Sequence, residues 1–81
     1  MYKNKAKDGK NNISGTKIKF YRENMEGKIS QRKFADILQL HGLDIDKNAI
    51  QRIESGKRFV TDIELKIIAK ALNVDYKDLL E

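Results

Sequence analysis

The stretch KNAIQRIESGKR, residues 47–58, gathers the side chains best suited to chemistry in this 81-residue chain. Lys47, Asn48, Gln51 and Arg52 carry ammonium, amide and guanidinium donors, and Lys57 and Arg58 add two cations just past Gly56. Groups of this kind recognise a polar or anionic surface through directed hydrogen bonds. They are not a catalytic set, because the sequence pairs no nucleophile with a base and has no glycine-rich phosphate loop. His41 is the sole histidine and cysteine is absent, so a metal site lacks its usual ligands and no cofactor is expected. Asp44 and Asp46 read as capping residues rather than as an acid–base pair. The expected chemistry is binding, not turnover.

For these donors to act together they must share one side of a helix. Ile50 and Ile53 are three apart and point to a core, which sends Lys47, Asn48, Gln51 and Arg52 to the opposite face. Asp46 is placed to cap a helix over 47–55, and Gly56 to close it. The same punctuation recurs along the chain. Ile13, Ile18, Tyr21 and Met25 can form one stripe of a first helix over about 14–25, capped by Asn12 or Ser14 and broken by Gly27. Ser30 precedes QRKFADILQL, in which Phe34, Ile37 and Leu38 share a face, and Gly42 ends that second helix. Thr61 or Asp62 opens a fourth, whose apolar residues Ile63, Leu65, Ile67, Ile68, Ala71 and Leu72 cover a wide arc, as a central helix requires. YKDLL after Asp75 reads as a short fifth. No stretch of strand period is long enough for a sheet, so the expected fold is all-α, a compact bundle of five helices over residues 13–81.

Composition fits one small binding unit. Of the residues, 40% are apolar and 36% charged, without proline or tryptophan. The net charge is +5, and it is lopsided: residues 1–33 hold ten Lys/Arg against three acids, a net of +7, leaving −2 for the remainder. This favours an anionic partner. Residues 1–12 contain four lysines and three asparagines and are expected to be a flexible basic arm. No run approaches the length needed to cross a bilayer, the N-terminus lacks a signal peptide's apolar core, and the missing cysteines suit a reducing compartment. The expectation is a cytoplasmic protein with no membrane partner.

Ser30-Gln31 opening the second helix, Ala35 within it, Ile50 and Ile53 in the third, Glu54-x-Gly56-x-Arg58 closing it, and Ala69-x-Ala71-Leu72-Asn73-Val74 near the end stand in one order and spacing. Together they resemble the Cro/XRE helix-turn-helix family of phage and bacterial repressors, over roughly residues 12–81. Fourteen residues separate Ala35 from Ile50 where the compact form has about nine, so the likeness is to the longer-turn variety. The resemblance implies a lambda-repressor-like fold and an operator of double-stranded DNA as partner. It makes Lys47, Asn48, Gln51 and Arg52 base-edge readers, and Gln31, Ser55, Lys57 and Arg58 phosphate contacts. It makes Arg22 and Glu54 a structural ion pair. Ala49 is either a contact to a thymine methyl group or filler.

The implied function is a sequence-specific transcriptional regulator, a repressor that occludes a promoter, with Leu79 and Leu80 as homodimer contacts. A second reading is an antitoxin or accessory module whose main partner is a protein. An enzyme is the least supported reading.

Overall fold

The computed structural model describes residues 9–80; Met1 to Asp8 of the expected arm lie outside the described residues. Five helices follow in order: α1 (Gly15–Glu23), α2 (Gln31–Leu40), α3 (Lys47–Glu54), α4 (Asp62–Leu72) and α5 (Tyr76–Leu80). No strand occurs among the described residues.

Each of α2, α3 and α4 begins on a side chain that accepts an otherwise unpaired amide hydrogen. Ser30 accepts from the Lys33 amide at 3.1 Å and Asp46 from the Ala49 amide at 2.8 Å. Thr61 and Glu64 form a reciprocal capping box, with bonds of 3.1 and 3.0 Å. At α1 the cap is Asn12, whose Oδ1 accepts from the Gly15 amide at 2.8 Å, while the buried Ser14 makes no side-chain cap. That helix is shorter than its apolar pattern suggests. It stops at Glu23, leaving Met25 in the turn beyond, and Ile13 is 57% exposed rather than part of the inner stripe.

Ile18, Phe34, Leu38, Ile50, Ile53, Ile68 and Leu79 are the largest fully buried side chains, and they come from all five helices. Helix α3 packs on α1 and α2, and α4 packs on α1, α2 and α5, which gives α4 the central role its apolar arc implies. The arc is narrower than the sequence suggests, because Ile63 points outward. Leu79 belongs wholly to this core, so of the two leucines proposed for a second subunit only Leu80 remains at the surface. Gln39 pins the six-residue turn between α2 and α3 by donating to the Ile45 carbonyl at 3.2 Å, and Ile45 itself is buried.

Helix α1 meets α3 closely. A Cβ on Gly15 would collide with the carbonyl oxygen of Ile53, so only glycine allows the approach.

Candidate nucleic-acid interface

Helix α3 divides sharply. Ala49, Ile50, Ile53 and Glu54 are buried, and Lys47, Asn48, Gln51 and Arg52 are exposed. None of those four exposed side chains enters a hydrogen bond or ion pair among the described residues. Four donor-bearing groups with no internal partner therefore line one face of a helix whose other face is locked in the core. Ala49 is 7% exposed and belongs to the core.

The buried side carries a charge. Arg22 donates from Nε to Glu54 Oε2 at 2.6 Å and from a second nitrogen to Oε1 at 2.9 Å, a two-pronged pair between α1 and the last turn of α3. Arg22 also donates to the Ile29 carbonyl at 2.7 Å, and Gln31 donates to Glu54 Oε1 at 2.9 Å. Hydrogen bonding to Glu54 is the main cause that raises the Arg22 pKa; burial opposes it and the carboxylate charges add to it. One carboxylate thus ties together α1, the first residue of α2 and the end of α3. The side-chain amide of Gln31 is spent on this strut, although the first-turn amides of α2 still give that end a positive dipole.

Past α3 the chain turns on Gly56, whose φ is +83°, and the Lys57 amide reaches back to the Arg52 carbonyl at 2.8 Å. Ser55 and Lys57 thus flank the turn at the helix end. Ser55 is half-buried, with its hydroxyl on the Arg52 carbonyl at 3.2 Å, and Lys57 is exposed. Arg58 turns toward α4 and binds Glu64 through both carboxylate oxygens, at 3.2 and 3.0 Å. Burial alone would raise the pKa of Glu64; hydrogen bonds from Arg58 and the Thr61 amide, with the arginine charge, outweigh it and hold the carboxyl below its ordinary value. Of the four residues assigned to phosphate, Gln31, Ser55 and Arg58 are therefore engaged inside the protein, and the Lys57 side chain alone has no such bond among the described residues.

Sequence reasoning missed three contributors. Asn11 and Asn12, counted with the arm on composition, instead bond to the α3 terminus: Asn11 to the carbonyls of Gly56 and Lys57, Asn12 to those of Ile53 and Arg58. An asparagine just before a helix signals a cap, but nothing local signals a bond to residues more than 40 positions away. Arg32, exposed on the first turn of α2, lines the notch between α2 and α3 together with Lys47, Asp36 and Asp46. No group of three or more histidines, cysteines and acids able to hold a metal occurs among the described residues.

A capped helix, a six-residue turn and a second helix with a donor-studded outer face define a helix-turn-helix protein. Residues 18–79 match the family model described as Helix-turn-helix, and the chain belongs to that family, in its Cro/XRE type. It is a DNA-binding transcriptional regulator. Among solved structures it resembles the restriction-modification controller protein C.AhdI from Aeromonas hydrophila, with a TM-score of 0.66 and 23% identity over 82% of this chain and 86% of that one. At that identity the likeness bears on the fold. A search of curated protein sequences gave no match.

Proposed function

We propose that the protein is a cytoplasmic repressor that reads a specific operator with the outer face of α3 in the major groove. The observation that carries this reading is the set Lys47, Asn48, Gln51 and Arg52, exposed and without partners among the described residues, on a helix fixed by its opposite face. Amides suit adenine and cations suit guanine, and each well-formed bidentate pair discriminates by about 1–3 kcal/mol. Ser55 and Lys57 position the domain on phosphates, aided by the amide end of α2 at Gln31. Arg58 joins them only by exchanging Glu64 for phosphate. No helix among the described residues is long and apolar enough to cross a membrane, which is consistent with this placement.

An operator read by such a domain is ordinarily twofold, matching a homodimer. Tyr76 and Leu80 border a shallow apolar groove with Leu65, and with Ile63 they form the exposed apolar surface of α4 and α5. That surface supports self-association, and it would equally suit a different protein partner. Sedimentation at increasing concentration, with Leu80→Glu as control, decides between them: a concentration-dependent dimer lost in the variant supports the homodimer, and a persistent monomer favours the partner.

The test of the main reading is selection from a random double-stranded library, repeated with Asn48, Gln51 and Arg52 all changed to alanine. A palindromic motif that vanishes in the variant is the expected result. Salt-sensitive binding with no enriched sequence, unaltered by the substitutions, overturns it.

A further inference from the structure

The segment immediately before α1 is fastened to the end of the recognition helix. The Asn11 amide donates to the Gly56 carbonyl at 2.7 Å, and its side chain to the Lys57 carbonyl at 2.8 Å. Asn12 Nδ2 donates to the Arg58 carbonyl at 2.6 Å and the Ile53 carbonyl at 3.1 Å. Just ahead of them, the aliphatic stem of Lys10 lies across Gly56: a Cβ there would fall 2.6–2.9 Å from three of its carbons. Residues 53–58 are the stretch that presents Ser55 and Lys57, so the segment ahead of α1 is laid along the edge of the interface.

Stability alone explains this poorly. Asn12 also caps α1 and so has a structural reason to be asparagine. Asn11 has none of that kind, and its Oδ1 is buried without a hydrogen-bond partner, which costs stability. What Asn11 does achieve is to tie the backbone next to Lys10 to the backbone of Gly56 and Lys57.

We propose that Lys10–Asn12 is part of the DNA-contacting surface: the two asparagines are positioning residues that hold Lys10 beside Ser55 and Lys57, where its ammonium adds a further ion pair with phosphate. This rests on the DNA-binding reading and extends it to residues outside the helix-turn-helix. An ammonium that has an internal partner can exchange it for phosphate, so the interaction does not require Lys10 to be unpaired.

The experiment is the slope of log affinity against log salt for the full chain on a mixed-sequence duplex, where binding is dominated by the phosphates. Lys57→Gln serves as reference, and removing one ammonium–phosphate ion pair flattens the slope by about 0.9. Lys10→Gln is expected to flatten it by that amount, so that affinity falls about threefold less between roughly 50 and 200 mM salt. Asn11→Ala keeps the ammonium and is expected to flatten the slope likewise, and to have no further effect once Lys10 is glutamine. A merely structural asparagine would not be silenced in that way, and thermal melting of Asn11→Ala checks that the fold persists. If Lys57→Gln flattens the slope and Lys10→Gln does not, the inference is overturned while the DNA-binding reading stands. If the unaltered chain shows no salt-dependent binding, both fail.

Discussion

Two arginine–glutamate pairs, each two-pronged, lie on either side of α3 in different surroundings. Arg22 and Glu54 have side chains 9% and 3% exposed, whereas Arg58 and Glu64 are 30% and 17% exposed. The buried pair has no alternative to itself: Glu54 is also held by Gln31, Arg22 is also held by the Ile29 carbonyl, and removing either leaves a charge in a low-dielectric site. The outer pair faces water, where an ion pair contributes little and a phosphate can replace the carboxylate. Depth, rather than residue type, makes one arginine a strut and leaves the other available to a ligand.

Changes that strip one partner from each pair sharpen the contrast. Glu54→Ala is expected to lose about 3–5 kcal/mol, because Arg22 remains buried and unpaired, and denaturant titration should show it as a large fall in midpoint. Replacing Gln31 by alanine removes one of the donors to Glu54 and should cost about 1 kcal/mol. The outer pair is best probed with Glu64→Gln, which keeps a side chain able to complete the capping box while discharging the carboxylate. Its stability should change by less than about 1 kcal/mol, and its affinity for DNA at low salt should hold or rise as Arg58 is released. A fall in affinity in that variant would mean that Arg58 works only in its present pose.

The smallest effect expected is on acid stability. The Glu64 carboxyl lies below its ordinary value of 4.5 in the folded protein, so its contribution is complete above that pH and is lost as pH falls through the lower folded value. The sign follows from linkage: in that window the unfolded chain binds the proton more readily. Chemical denaturation of the parent and Glu64→Gln from pH 6 down to pH 3 should show a slightly steeper decline for the parent. Equal slopes would place the Arg58–Glu64 interaction among pairs with no measurable weight.

Much of the fold was legible because its signals are local. Ser30, Asp46 and Thr61 stand where caps must be, Gly42 and Gly56 where helices must end, and the spacing of Ile50 and Ile53 orients α3 without reference to anything distant. Apolar residues near helix ends misled. Ile13 and Ile63 carry the right period but face outward, and Leu79 is taken entirely by its own core. The engaged phosphate candidates, Gln31, Ser55 and Arg58, differ from Lys57 in what stands opposite them: the Glu54 carboxylate, the Arg52 carbonyl and the Glu64 carboxylate. The asparagine bonds to the α3 terminus span more than 40 residues and leave no pattern in sequence at all.

The side chains on the outer face of α3 make no hydrogen bond or ion pair among the described residues. Lys47, Asn48, Gln51 and Arg52 can therefore be exchanged one for another with folding changed by only about 0.5 kcal/mol or less each. Variation at these four positions is thus nearly silent for folding and, on the proposed reading, is weighed by the DNA sequences it favours, while Gly15, Arg22 and Glu54 are held still by the packing behind them. A chain built this way can acquire a new target without first acquiring a new scaffold.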